Sequence, residues 1–258
     1  MIVSASYNYF NGHEHFIASL SSIRSSVDHI SVVWQSISNA GEDISIDAES
    51  ALHEASELKL VDDVVHYTPN LDLPRRSMNE LNKRKLGLSL AKFRSASHFL
   101  SMDADEFYRK EEFIAAKRKI EDEGWKTTSA HSFMHCQTPR WRCLDRTNVC
   151  FLCELQSDTE IGMKYFPASN VDPTRRITSH SDSHYFFKTD ELAMYHMNLV
   201  REDFAQKLRN SSTENSAFLK KVYDVVTSWK PGEPLNFPNK GVLNFFEVEN
   251  EFDTYNPR

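Results

Sequence analysis

The sequence predicts an α/β protein: a mixed sheet flanked by helices, regular in its first half and irregular in its second. Three observations predict it. Short apolar runs alternate with segments of helical periodicity as far as residue 127. Their order, strand–helix–strand–helix–strand, implies parallel strands joined by right-handed crossovers. Beyond residue 127 the alternation loosens and strand-like runs follow one another.

Met1–Ser6 is a short apolar run bounded by Asn8 and Asn11-Gly12, and reads as a buried opening strand. Phe16, Leu20, Ile23 and Val27 then recur at helical spacing over 13–26. His29–Trp34 is a second strand, 48–60 a polar helix and Val61–Tyr67 a third strand. A polar, proline-containing stretch (68–79) leads into a helix over 80–96, and His98–Met102 is a strand. Residues 110–122 form a charged helix. Strands are expected at 127–135, 147–155, 161–166 and 183–188, and helices at 200–209 and 215–228. The segment 231–258, with four prolines, reads as extended chain packed on the surface. There is no internal repeat and no flexible linker, so one domain is expected.

The 258 residues carry 30 Lys+Arg against 37 Asp+Glu, a formal net charge of −7. That balance argues against a general nucleic-acid coat, which needs a basic surplus. With 40% hydrophobic and 26% charged residues the chain is ordinary for a globular protein. No run approaches the ~18 apolar residues of a membrane span. The N-terminus lacks the pattern of a signal peptide. Four cysteines, all within 136–153, do not form the framework of a disulfide-stapled secreted fold. A reduced, cytoplasmic protein is expected.

The strand at 98–102 stops in Asp103-Ala104-Asp105-Glu106. Ligands of open parallel sheets bind beyond the carboxyl ends of the strands. Three carboxylates there supply hard oxygen ligands suited to Mg²⁺ or Mn²⁺. The same residues could instead be an acidic turn before the helix at 110–122.

Three segments in order carry a resemblance. Ser4-Ala5-Ser6-Tyr7-Asn8 with Leu20-Ser21-Ser22-Ile23-Arg24, then Lys83–Leu88 with Ala91, then Phe99–Phe107 together resemble family 2 type glycosyltransferases of the GT-A fold. The resemblance covers residues 1–110. It implies a single GT-A-like domain with a Rossmann-like mixed sheet. Residues 1–110 would be its nucleotide-sugar-binding half and 111–258 its acceptor-facing half. It implies transfer of a sugar from a nucleotide-diphospho donor to an acceptor hydroxyl, inverting in the first reading. Ser6, Tyr7, Asn8, Gln35, Lys83, Arg84, Gly87 and Asp103 would bind the donor. Asp103 and Asp105 would hold the metal, with His196 as the family's C-terminal histidine ligand; an imidazole favours Mn²⁺ over Mg²⁺. His196 could equally cap the helix that follows. Trp34-Gln35 stands where many members carry an aspartate for the nucleobase.

Inverting transfer needs a general base. Asp172, before Pro173 and two arginines, is the first candidate, and it could also be a plain turn residue. Glu154 and Asp145 are the others. Arg75-Arg76, Lys83-Arg84-Lys85, Arg140/Arg142/Arg146 and Arg175-Arg176 could bind diphosphate or an anionic acceptor, or be solvated faces. Trp141 could stack on a ligand or pack in the core. Cys150-x-x-Cys153 has a zinc-like spacing, but on a strand residues three apart face opposite ways, so buried thiols are expected. The acceptor stays open among glycan, lipid, protein and modified nucleic acid. Two other functions fit the same residues: a nucleotidyltransferase or other metal-dependent phosphate-handling enzyme, and a catalytically degenerate carbohydrate-binding module.

Overall fold

The computed structural model describes residues 1–162, 166–178 and 183–257. The elements run β1 (Val3–Tyr9), α1 (His13–Arg24), β2 (His29–Trp34), α2 (Ile46–Glu57), β3 (Asp63–His66), α3 (Arg76–Phe93) and β4 (His98–Asp103). Then come β5 (Glu106–Phe107), α4 (Lys110–Glu123), β6 (Thr127–Cys136), β7 (Thr138–Glu154) and β8 (Glu160–Ile161). A 3₁₀ turn (Pro173–Arg175) precedes β9 (Ile177–Thr178), β10 (His184–Phe187) and β11 (Ala193–Leu199). The chain closes with α5 (Phe204–Arg209), α6 (Ser216–Ser228), β12 (Leu235–Phe237), β13 (Gly241–Leu243) and β14 (Phe246–Glu247).

Ten strands form one mixed sheet along the path β3-β2-β1-β4-β7-β6-β11-β5, with β10 on β6 and β14 on β7. β3, β2, β1 and β4 are parallel. The long β6–β7 pair is antiparallel. The expected α/β architecture is therefore present.

Strand alternation divides β1 between two layers. Val3, Ala5, Tyr7 and Tyr9 join the core with Phe16, Leu20 and Ile23 of α1, Ala51 and Ala55 of α2, and Phe113 and Ile120 of α4. Ser4, Ser6 and Asn8 face the other way, toward α3. Gly87 lets α3 lie against that face: a Cβ there would sit 2.0 Å from Ser6 Oγ. Under α3, Leu88 and Ala91 pack with Phe99, Cys150 and Cys153.

Several boundaries differ from the expectation. β1 extends to Tyr9, and α3 starts at Arg76 rather than residue 80. α5 starts at Phe204, where the Asp203 side chain accepts from Gln206 N–H at 2.8 Å. β7 begins at Thr138, nine residues before the expected strand. Of the strand expected over 161–166, Ile161 lies in β8 and residues 163–165 lie outside the described residues. Residues 231–258 do more than cover the surface. Leu235, Phe237, Leu243 and Phe245 build a second core with Val222, Val226 and Trp229. Trp141, half-buried, packs edge-on against Trp229 at 5.9 Å, at the margin of that core. Cys150 and Cys153 share one face after all. The register gains a residue on β7 between the Thr127–Cys153 and Ser129–Cys150 pairs, and this bulge brings the thiol sulfurs to 3.3 Å. All four cysteines are buried and free.

Two histidines, His15 and His135, are buried in the framework and His98 is half-buried. His15 Nε2–H donates to Val200 O at 2.6 Å, so Thr254 Oγ1 donates to His15 Nδ1 at 2.7 Å. Those bonds tie α1 to the end of β11 and to the C-terminal segment. Burial pushes His15 down to about 4, and does the same to His98 and His135. In the unfolded chain these groups take up protons near the ordinary value of 6.5, whereas the folded chain resists protonation until about 4. Stability is therefore fully present above 6.5 and lost as pH falls toward 4. Melting temperatures measured across that window should fall, and His15→Asn should make the fall shallower; an unchanged slope in the variant contradicts the role given to His15.

Candidate active site

The parallel strands reverse order between β1 and β4, and such a switch point opens a crevice at the strands' carboxyl ends. Asn8, the last residue but one of β1, lies beside Asp103, its register partner on β4. A cleft of about 330 Å³ opens there. Asn8, Gln35 and Asp103 form its floor from β1, the residue after β2, and β4. Lys83 and Glu80 of α3 line one wall, Arg201 and Lys207 another, with Ser211–Thr213 above. A smaller cavity of about 150 Å³ adjoins it and shares Asp103, Asp172 and His196.

Ala104 and Asp105 form the turn between β4 and β5. The three acidic side chains leave that turn toward cations: Asp103 and Glu106 share Arg175, and Asp105 meets a separate pair. Both Asp103 carboxylate oxygens accept from Arg84 Nη2 at 3.0 Å, and Arg175 Nη2 lies 3.4 Å away. Burial opposes ionisation of Asp103, but Arg84 and Arg175 outweigh it and hold the carboxyl below its ordinary value. Asp105 is 4% exposed. It pairs with Arg201, with Lys207 Nζ at 2.9 Å and with His196 Nε2 at 3.4 Å. Burial is again outweighed, here by Arg201 and Lys207, and the Asp105 carboxyl stays well below the usual range.

Glu106 is not a cleft residue. It is 1% exposed, accepts the Asp103 N–H at 2.9 Å and is clamped by both terminal nitrogens of Arg175. Of the three carboxylates expected to offer metal ligands, this one braces the turn.

The remaining candidates separate cleanly. His196 sits within β11, opposite Glu106 of β5, and Met197 N–H donates to Asp105 O at 2.8 Å. That pairing brings the histidine to the acidic turn. Asp172 caps the 3₁₀ turn: its Oδ1 accepts from Thr174 N–H at 2.7 Å and Thr174 Oγ1 at 2.8 Å. It is a turn residue that also lines both cavities. Asp145 lines the smaller cavity and is neutralised by Lys240. Glu154 lies elsewhere. It pairs across from His98, at the opposite end of β4 from Asp103, and meets Lys126 at 3.5 Å.

Lys83, Asn8, Gln35 and Asp103 meet in the cleft, but Ser6, Tyr7, Arg84 and Gly87 do not line it. Ser6 and Gly87 form the α3–β1 contact. Tyr7 is buried in the other layer, its hydroxyl 3.1 Å from Ser19 Oγ. Arg84 lies beneath Asp103 and also bonds Glu80 and Ser101 Oγ at 2.8 Å. Lys83 is 5% exposed, and burial pushes its ammonium down to about 8. Sequence reasoning missed Arg201 and Lys207. Asn11-Gly12 held a signal for the first: Gly12 has φ +88°, and a Cβ there would lie 2.5 Å from Arg201 Nη1.

Two hard carboxylates and an imidazole lining one cleft suit Mg²⁺ or Mn²⁺ by donor chemistry. Their carboxylates are engaged by protein cations, and among the described residues no three His, Cys, Asp or Glu side chains converge as a metal set. No helix among the described residues is long and apolar enough to cross a membrane.

No family model matches the chain, and no curated protein matches it. Among solved structures it is similar to residues 1–349 of S. aureus TarS, at 14% identity and TM-score 0.45, covering 84% of this chain and 72% of that one. The complex of that 1–349 form with UDP-GlcNAc aligns at 18% identity and TM-score 0.35, over 52% and 35%. A mannose-1-phosphate geranyltransferase from Thermus thermophilus aligns at 10% identity and TM-score 0.33, over 58% and 50%. Against a longer TarS chain the match spans only 22% of its length. Likenesses this distant carry nothing about activity.

Removing one partner of a buried ion pair typically costs about 3–5 kcal/mol. Arg175→Met should therefore destabilise the protein by roughly that amount in urea denaturation. Adding Glu106→Gln should recover part of the loss. Additive losses from the two substitutions contradict a direct pair.

Proposed function

We propose that the chain is a glycosyltransferase that moves a sugar from a nucleotide-diphospho donor to an acceptor hydroxyl. One observation carries the reading: buried cations and a candidate base converge on a single cleft at the switch point of the sheet. Lys83, Arg201 and Lys207 gather around it, and Arg201 Nε and Nη1 are buried with no hydrogen-bond partner. Nη1 also sits 3.6 Å from Glu14, and N–H groups of a buried guanidinium that make no hydrogen bond suit a diphosphate. The resemblance of residues 1–110 supports the same donor class.

In this reading the cations bind the donor diphosphate and stabilise the charge that grows on it as the sugar departs. Asp172, at the junction of the two cavities, takes the proton of the acceptor hydroxyl. The smaller cavity, with Asn148 and Asn198 in its wall, takes the acceptor. The polar wall favours a hydroxyl-rich group. Asp103, Asp105 and His196 are hard donors in type, but their carboxylates are held by Arg84, Arg175, Arg201 and Lys207 and the three do not converge as a metal set, so the protein's own cations carry the charge stabilisation in this reading. Asp172 is preferred as base over Asp145, whose carboxylate is held by Lys240.

Asp172→Asn should leave nucleoside diphosphate affinity within about twofold and lower transfer by a factor of about 10²–10⁴. Arg201→Met should instead weaken diphosphate binding itself. Calorimetric titration beside a transfer assay checks both. Full transfer by Asp172→Asn, or unchanged binding by Arg201→Met, contradicts the assignment.

A further inference from the structure

Three amides at the tips of β1 and β2 hold hydrogen-bonding capacity that the described residues do not use. Gln35 is 1% exposed. Its Nε2 donates to Asn39 Oδ1 at 3.2 Å. Its Oε1 is buried and accepts nothing. Asn8 Nδ2 is buried and donates to nothing. Asn39, held by Gln35, keeps its own Nδ2 to offer. All three residues line the larger cleft.

The register explains why they meet. Asn8 lies opposite Val33, and Gln35 follows Val33 by two residues. The side chains of Asn8 and Gln35 therefore leave the same face of the sheet, the face that carries α3. Gln35 is the middle member of the row: its strand pairs with that of Asn8, and its own amide holds Asn39. The sequence donor–acceptor–donor complements a carbonyl, an N–H and a second carbonyl.

We propose that Asn8, Gln35 and Asn39 read the imide edge of a uracil base, so that the donor is a uridine diphospho sugar. The proposal rests on the nucleotide-donor reading above and names its base. Gln35 Oε1 accepts the N3–H, and the two asparagine amides donate to the flanking carbonyls. Cytosine presents a bare ring nitrogen to Gln35 Oε1, and so does adenine. Guanine presents its 2-amino group to an asparagine donor. Each leaves a buried group unpaired or sets two like groups face to face. Phe10, lining the same cleft two residues beyond Asn8, offers a ring for stacking.

The test is calorimetric titration of the whole chain with UDP, CDP, GDP and ADP. UDP should bind the unmodified protein about 10- to 100-fold tighter than the other three. Gln35→Leu should bring the UDP and CDP affinities within about threefold of each other by weakening UDP. Lys83→Met, which leaves the amides alone, should weaken all four together. Equal affinities for the four nucleotides, or a preference for GDP or CDP, overturn the base assignment and leave the diphosphate reading standing. If none of the four binds, both fall. A Gln35→Leu protein that folds and keeps the full preference also overturns the assignment.

Discussion

Three carboxylates within four consecutive residues, two of them buried, cannot share one turn unless cations separate them. Like charges at close range raise one another's pKa, and burial adds to that. Here the turn is stable as carboxylates because Arg84, Arg175, Arg201 and Lys207 surround it. They come from α3, the 3₁₀ turn, the residues after β11, and α5. Much of the second half of the chain is thereby fixed relative to the first. Arg175 brings Asp172 to the turn, Arg201 brings α5, and β11 brings His196. The cleft is what remains between these elements. Glycine is required at two of the contacts. Gly87 gives α3 its close approach to β1, and Gly12 gives Arg201 room beside α1.

That lattice also sets the charge of the cleft, where Lys83, Arg201 and Lys207 stand among the carboxylates of Glu80, Asp103, Asp105 and Asp172. Asp105 uses one nitrogen of Arg201 and the ammonium of Lys207. Arg201 Nη1 lies 3.6 Å from the Glu14 carboxylate, and Arg201 Nε and Nη1 make no hydrogen bond among the described residues. The acidic turn thus holds these cations at the cleft, where in the proposed reading they meet the diphosphate.

Much of the first half was legible because its signals are local. Phe16, Leu20 and Ile23 mark one helix face, His29–Trp34 is a strand to the residue, and Asp103-Ala104-Asp105 ends a strand as its spacing implies. The misses are long-range. Glu106 reads as a third ligand until Arg175, far along the chain, claims it. Arg201 and Lys207 look like ordinary surface charges without the fold that turns them toward Asp105. Cys150 and Cys153 read as facing opposite ways because a bulge in β7 is invisible in a period-2 pattern. Residues 231–258 were read as extended, which they largely are, yet their apolar side chains face Trp229 and α6. Glu154 shows the converse error: an acid near a strand end is a candidate only at the correct end of the sheet.

The central claim is that the cleft cleaves the bond between the sugar and the diphosphate, and not a bond within the diphosphate. Phosphorus-31 NMR of the products distinguishes the two directly. The protein, incubated with a nucleotide-diphospho sugar and Mn²⁺ in the presence of candidate acceptors or water, should release intact nucleoside diphosphate. Release of nucleoside monophosphate or pyrophosphate instead would contradict glycosyl transfer and identify a phosphate-handling enzyme built on the same cleft.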